Sequence, residues 1–367
     1  MTRFHRSLTV VLLATLAIAA PAARPNRLNQ ENGERFEFQK LADGVYASIR
    51  KEPIGLGVDA NNLFVIDDDG VVVVDSNFGP SSTRQVLAAL RTITDKPVKY
   101  VINTHPHDDH VLGNAVYREA FPNAEFIGHA FLKEYLPGRG AVNRRNQVEN
   151  LPGFAGALKA TLAKGTNLAG QPITDEERAG YASDLQMIGA YLKDAPTFSD
   201  VLPTTTVTSR HILRLGSRTV EILHLGRGHT AGDLVVHLPQ EGIIATGDLV
   251  VFPIPLVGGD QSFVAEWSGT LEKVIALNPT LIVPGHGPIM RDTSHLRSMA
   301  DLFASITRQV GAAPAGQPLE QVRTTVNLDA FRQKFAGDSQ LKRFLFANYV
   351  TGPAVASAFN AVRQPQE

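Results

Sequence analysis

Apolar and polar positions change period several times along the chain, and each change marks an element. After a polar linker from Pro25 to Glu34, "GVYASIR" and "NNLFVIDDDGVVVVDS" read as strands. In the second, two β-branched runs flank Asp67-Asp68-Asp69-Gly70, a hairpin signal. "SSTRQVLAALRTIT" switches to helical spacing, with Val86, Leu87, Leu90 and Ile93 on one stripe and Ser81 or Ser82 placed to cap it. "VKYVINTH" is a strand, "NAVYREAF" a helix and "AEFIGH" another strand. From about Phe131 to Ser199 the period is helical, in "RRNQVENLPGFAGALKATLAKG" and "TDEERAGYASDLQMIGAYLKD", with Gly and Pro breaks between them. Strands resume with "TTTVTS", "HILRLG", "SRTVEILHLG", "DLVVHLP" and "GIIATGDLVV". The helix "WSGTLEKVIALN" leads into the strand "TLIVPGHG", and the tail from Thr293 to Val362 is helical. Two strand-rich blocks flanking a helical insertion suggest two sheets packed together with helices outside.

Composition narrows the class. The 367 residues suffice for one large domain or two ordinary ones. With 43% hydrophobic and 19% charged residues the chain reads as soluble and globular. A formal net charge of -1 gives no basic excess, so no nucleic-acid partner is expected. The start, "MTRFHRSLTVVLLATLAIAAPAA", places Arg3 and Arg6 before an apolar run from Leu8 to Ala20, with Ala-x-Ala patterns at its end. That is the layout of a secretory signal peptide over residues 1–22. The run is short for the ~20 apolar residues of a membrane span, so no stable anchor is expected after cleavage, and the mature protein is placed in the periplasm or outside the cell. The chain has no cysteine, which excludes disulfides, a lipid-bearing cysteine and thiolate metal ligands.

The chemistry concentrates at strand ends. "VINTHPHDDHVLGN" packs His105, His107, Asp109 and His110 directly after an apolar run, in a chain with only 11 histidines. Three later runs end on His229 in "HLGRGHTAGD", Asp248 in "IIATGDLVV" and His286 in "LIVPGHGPI". Each lies beside glycine, which permits tight turns and close backbone approach. These seven imidazole and carboxylate groups exceed the roughly four ligands of one tetrahedral zinc and suit two ions sharing a carboxylate. Imidazole favours zinc or iron-type ions over calcium and magnesium. Without thiolates, a hydrolytic site with open positions fits better than a purely structural one.

At this point His105-Pro106-His107-Asp108-Asp109-His110 resembles the H-x-H-x-D-H signature of the metallo-β-lactamase superfamily. His229, Asp248 and His286 follow in that family's order and in its contexts Gly-His-Thr, Thr-Gly-Asp and Pro-Gly-His-Gly. Asp75, in "VVVVDSN", resembles the family's early Asp that supports the ligands. The resemblance covers Phe36 to Asp292. It implies an α+β fold, a four-layer αββα sandwich over 36–292, with 131–200 as a helical insertion and 293–367 as a C-terminal helical extension. It also implies that His105, His107 and His229 hold one zinc ion and Asp109, His110 and His286 a second, with Asp248 bridging. Iron or manganese are alternative metals. A hydroxide between the ions is the implied nucleophile, oriented by Asp109 as the catalytic residue.

The implied activity is hydrolysis of a small ester, lactone, thioester or cyclic amide. β-Lactams stay in range, although Asp248 stands where the family's true β-lactamases carry Cys or Ser and no Lys follows closely to hold a β-lactam carboxylate. Two other readings stand beside this one. The first is an iron-dependent redox enzyme on the same fold, which metal analysis separates. The second is a non-catalytic metal-binding periplasmic protein, which turnover of any ester separates. The partner expected is a small molecule, and the oligomeric state stays open.

Other residues are read more conservatively. His129 is balanced between site wall and structural support. Arg227 is a candidate grip for a substrate carboxylate, and Thr230 and Asp233 for hydrogen bonds to the ligands, with surface and turn roles as the alternatives. His211, His224 and His237 are expected to be structural. Asp108 is expected to face solvent or cap backbone. The "VVFPIPLVGG" stretch is expected to line the pocket.

Overall fold

The structure, a computed structural model, describes residues 35–167 and 169–363. The leader-like residues 1–22 and the linker up to Glu34 lie outside it. Among the described residues no helix is long and apolar enough to cross a membrane.

The first sheet has seven strands in chain order: β1 (Phe36–Ala42), β2 (Val45–Arg50), β3 (Asn62–Ile66), β4 (Val71–Val74), β5 (Val98–Ile102), β6 (Glu125–His129) and β7 (Thr205–Val207). Strands β1 to β4 pair antiparallel and β4 to β7 parallel. The parallel connections need crossovers. These are α1 (Pro80–Arg91), then α2 (Asp108–Val111) with α3 (Asn114–Ala120), then α4 (Phe131–Tyr135), α5 (Ala141–Lys164) and α6 (Asp175–Asp194). The last three form the insertion. The second sheet runs β12-β11-β10-β9-β8, from β8 (Arg210–Leu215), β9 (Arg218–Leu223), β10 (Val235–Leu238), β11 (Ile243–Ala245) and β12 (Leu281–Val283). Helix α7 (Val264–Ala276) makes its parallel crossover from β11 to β12. The tail supplies α8 (Ser294–Ala312), α9 (Leu319–Thr325), α10 (Asp329–Ala336), α11 (Gln340–Phe346) and α12 (Gly352–Arg363).

Side-chain alternation builds the four layers. In β4, Val72 and Val74 enter the core between the sheets, where they join Ile102, Ile222, Val236 and Ala245. Val71 and Val73 enter the opposite core, with Val86 and Leu90 of α1 and Tyr117 of α3. A strand buried on both faces needs a continuous apolar run, which "VVVV" supplies. The outer face of the second sheet is covered by α7 and the tail, with Trp267 stacked on Phe303 at 4.4 Å and Phe346 and Val355 in the same core.

The hairpin expected at Asp67–Gly70 is present, closed by the Asp67 N–H donating to the Gly70 carbonyl at 2.9 Å. The cap of α1 differs from the expectation. Gly79 occupies the cap position, and Ser81 and Ser82 lie inside the first turn. The carboxylate of Asp194, at the end of α6, accepts from the Ser81 N–H and hydroxyl, both at 2.6 Å. A group 113 residues away thus does what a local serine was expected to do.

Candidate metal centre

Every ligand-type residue singled out in the sequence sits beyond the C-terminal end of a strand, on one edge of the sandwich. After β5 the chain turns through Asn103 and Thr104 into α2, a single helical turn that spaces His107, Asp109 and His110. His229 follows β9, Asp248 follows β11 and His286 follows β12. Two glycines let these loops close. Gly247 adopts φ +51, and a side chain there would meet Thr104 at 2.3 Å. A side chain on Gly285 would lie 2.0 Å from Asp248 Oδ1.

The side chains converge into two groups whose ligand atoms lie within 4.8 Å of one another: His105, His107, His229 and Asp248, and Asp109, His110 and His286. Asp248 divides its oxygens between them. Oδ2 lies 3.5 Å from His229 Nε2 and 3.9 Å from His105 Nε2. Oδ1 lies 3.2 Å from both His110 Nε2 and His286 Nε2. Asp109 Oδ2 stands 3.1 Å from His286 Nε2 and 3.4 Å from His110 Nε2. In the first group, His229 Nε2 faces His107 Nδ1 at 2.9 Å.

The outward nitrogens of four imidazoles are fixed by acceptors. His105 Nδ1 meets the Thr104 hydroxyl at 3.1 Å, and His110 Nδ1 meets Asp75 Oδ2 at 2.8 Å. His229 Nδ1 donates to the Leu256 carbonyl at 2.8 Å, and His286 Nδ1 to the Asp59 carbonyl at 3.1 Å. Such bonds set the tautomer and aim the other nitrogen inward. Asp75, with φ +59, also accepts from the Thr104 N–H and hydroxyl, each at 2.7 Å. A non-glycine residue in the left-handed region is strained, and here the strained residue supports the cluster.

Burial and charge shape the titration. Burial lowers the His105 pKa well below the ordinary imidazole range, and His110 beside it adds to the shift. Burial likewise takes His229 down to about 3. Burial opposes ionisation of Asp109 and Asp248, but the imidazoles beside them outweigh it and hold both well below the usual carboxylate range. Burial also opposes protonation of His286, yet Asp248 and Asp109 raise it to about 9.

A family model described as the metallo-β-lactamase superfamily matches residues 56–286, more than half of the chain. The chain belongs to the metallo-β-lactamase superfamily. It is similar to a metallo-β-lactamase type 2 of Bacillus cereus, 28% identical over 239 residues that span 64% of this chain and 70% of that protein. It is also similar to a linear primary-alkylsulfatase of Pseudomonas sp., 24% identical over 229 residues, 60% of this chain and 40% of that protein. Among solved structures, a metallo-β-lactamase from Erythrobacter litoralis aligns with a TM-score of 0.50 at 17% identity, over 75% of this chain and 98% of that one. The DIM-1 metallo-β-lactamase aligns with a TM-score of 0.50 at 15% identity, over 74% and 98%. These two likenesses speak for the shared fold, the αββα sandwich expected from the sequence.

As a member of this superfamily the protein is a metal-dependent hydrolase, and its donor set fits metal ions. His105 Nε2, His110 Nε2, His286 Nε2, Asp109 Oδ2 and Asp248 Oδ1 are buried with no hydrogen-bond partner. Buried polar atoms are nearly always bonded, so orphans converging in one place suit cations bound between them.

The supporting residues divide. Asp75 lies against the ligands as expected. Thr230 does not: its N–H and hydroxyl bond Asp233 at 2.6–3.0 Å, which closes a turn after His229. Arg227 is tied to Glu266 and lies 4.1 Å over the Phe263 ring, so its charge is already engaged away from the pocket. His129 takes the support role. Its Nδ1 accepts from the Phe131 N–H at 3.1 Å, and its ring packs on His224 at 4.5 Å. Asp108, expected to face solvent or cap backbone, is instead partly buried between the pocket and the insertion. It accepts from Arg144 at 2.9–3.2 Å and from the Tyr191 hydroxyl at 3.1 Å.

Above the cluster lies a cavity of about 360 Å³ that reaches His107, Asp109, His229 and Asp248. Leu256, Val257 and Gly258, from the expected "VVFPIPLVGG" stretch, line one side. Tyr135 and Asn143 of the insertion and Tyr349 of the tail close others. Sequence reasoning missed the carbonyls of Asp59 and Leu256, because a backbone acceptor leaves no mark in residue type.

Proposed function

We propose that the protein is an exported di-zinc hydrolase that cleaves a small carbonyl ester, lactone, thioester or cyclic amide. The observation that carries this reading is Asp248, whose two oxygens face two separate donor sets beneath a small-molecule pocket. His105, His107 and His229 would hold one ion and Asp109, His110 and His286 the other, with Asp248 shared between them. Ions bound there supply Lewis acidity and lower the pKa of water from ~15.7 to about 7, so that hydroxide is available at neutral pH. Asp109 lines the pocket floor, where its carboxylate would help hold the second ion and would accept a hydrogen bond from the attacking water. Leu256 and Val257 keep bulk water off the reacting carbonyl, which strengthens the electrostatics inside.

The names of the two relatives add a β-lactam, itself a cyclic amide within this reading, and a primary alkyl sulfate, which competes with it. The test is a hydrolysis panel on zinc-loaded protein covering these two and the four carbonyl classes. Chelator-sensitive turnover of a carbonyl ester, lactone, thioester or cyclic amide is expected. Protein that holds two ions and turns over none of them overturns the reading. Export rests on the leader-like start, and N-terminal sequencing of secreted protein is expected to begin near Ala20 or Ala23. A mature chain beginning at Met1 or Thr2 overturns that part.

A further inference from the structure

We propose that the pocket selects neutral, apolar acyl substrates and rejects molecules that carry a second anionic group remote from the reacting carbonyl. This rests on the hydrolase reading and specifies its substrate class. The apolar lining comprises Leu56, Val58, Phe78, Leu256, Val257 and Tyr349. The polar side chains within reach of a bound molecule, apart from the acidic floor, are mainly the neutral amides Asn143, Gln147 and Gln261. Among the described residues no Lys or Arg lines the cavity.

Two basic residues approach from behind: Arg50, which donates to the Gly57 carbonyl at 2.9 Å and is held by Glu52 and Ser183, and Arg144. Arg144 of α5 is bound to Asp108, which itself lines the pocket, at 2.9 Å, and to Asp200 at 2.8 Å. Two carboxylates already share that one cation. The fixed charges at the pocket surface are then the carboxylates Asp108, Asp109 and Asp248, besides whatever ions the floor binds. A remote carboxylate or sulfonate moved from water against the walls away from the floor loses hydration and finds no Lys or Arg there to replace it. Amide donors give only neutral hydrogen bonds, weaker than the charge-assisted kind. Aliphatic or aromatic carbon, by contrast, gains from contact with every one of the apolar walls.

The test uses the zinc-loaded full chain and a pair of hydrolysis-resistant ketones. One is neutral, and the other is identical but ends in a carboxylate at the far end of its carbon chain. Calorimetry is expected to show the neutral ketone binding at least about tenfold more tightly. Gln147 lies one helical turn from Asn143 on the pocket face of α5, so Gln147→Lys places a cation where none stands. In that variant the preference is expected to fall by about tenfold or more, a ratio measured within one protein and so independent of any loss of folded material. Equal affinities in the unmodified protein, tighter binding of the anion, no binding of either, or an unchanged ratio in Gln147→Lys each overturn the proposal. The corresponding ester pair separates the two readings. Preferential binding of the neutral ketone by protein that turns over no member of the hydrolysis panel removes the hydrolase reading alone. Cleavage of both esters at equal efficiency removes this one alone.

Discussion

Asp248 and Asp75 show how two carboxylates in one cluster come to do different work. Asp248 places one carboxylate oxygen toward each donor set, so Asp248→Ala is expected to weaken binding of both ions. His286→Ala takes a donor from the second set alone and is expected to lower zinc content toward one ion per chain. Elemental analysis after dialysis against a mild chelator reads both outcomes, and an Asp248→Ala protein that keeps two ions contradicts the shared role. Asp75 contacts no ion-facing nitrogen. It holds the outward nitrogen of His110 and both donors of Thr104, and Thr104 in turn meets His105. Removing such a supporting acceptor costs 10- to 100-fold in metal affinity in comparable sites, and Asp75→Ala is expected to fall within about that range in a competition titration. Affinity unchanged in a folded Asp75→Ala protein would show that the ring of His110 is aimed by packing alone. The convergence of these seven residues was legible because His and Asp cluster after apolar runs, as His-Pro-His-Asp-Asp-His after β5 and beside Gly at His229, Asp248 and His286. For Thr230 and Arg227 the sequence left turn and surface roles open beside contact with the site, because nothing local announces that Asp233 and Glu266 engage them.

Among the elements, the helical insertion is held by apolar packing, with Tyr181 and Ile188 of α6 and Leu132 and Tyr135 of α4 buried in the core, and additionally by charges over the pocket. Helix α5 buries only Leu158 and Thr161 along Ala141–Lys164. What fixes it over the pocket is Arg144 on Asp108, with Tyr191 of α6 on the same carboxylate. Further along α6, Asp184 accepts from the Leu56 and Gly57 N–H groups at 2.8 and 3.0 Å, so the insertion also holds the pocket wall. Arg144→Ala leaves Asp108 partly buried without its cation. Breaking a fully buried pair costs 3–5 kcal/mol, and the residual exposure of Arg144 reduces the expectation to about 2 kcal/mol. The loss is expected as faster hydrogen exchange in 141–194 and a raised KM, with zinc content unchanged. Loss of an ion from the folded variant would mean that the tie sets the ligands and not merely the pocket. The insertion's helices were legible from period alone. Its docking was not, because Asp108 meets Arg144 across 36 residues and Tyr191 across 83.

For the whole molecule, the strand runs and the β-branched hairpin made two packed sheets legible, since burial on one or both faces writes itself as alternation or as an unbroken apolar run. The tail was legible as helices but not as part of the outer layer, because what Phe346 or Val355 packs against depends on the second sheet's curvature and not on its own neighbours. That layering gives the metal centre a structural consequence. In each donor set, at least one ligand comes from the loop after β5 in the first sheet and at least one from a loop of the second sheet: His229 and Asp248 in one set, His286 in the other. Bound ions would therefore join the two sheets along one edge, and they would relieve the five orphaned buried atoms found there. A ligand that binds only the folded chain stabilises it by about 2.7 kcal/mol when present at 100 times its dissociation constant. For a chain of this size each kcal/mol moves the Tm by roughly 1.3 °C, so two ions at that occupancy move it by about 7 °C. Chelation is thus expected to lower the Tm by on the order of 5 °C or more, and restoring zinc is expected to reverse the change. The control is Asp248→Ala, whose Tm is expected to respond far less to the same chelator. A chelated protein shown to be metal-free, yet melting where the loaded protein melts, would mean that the sheets hold together without the ions and that the cluster serves chemistry alone.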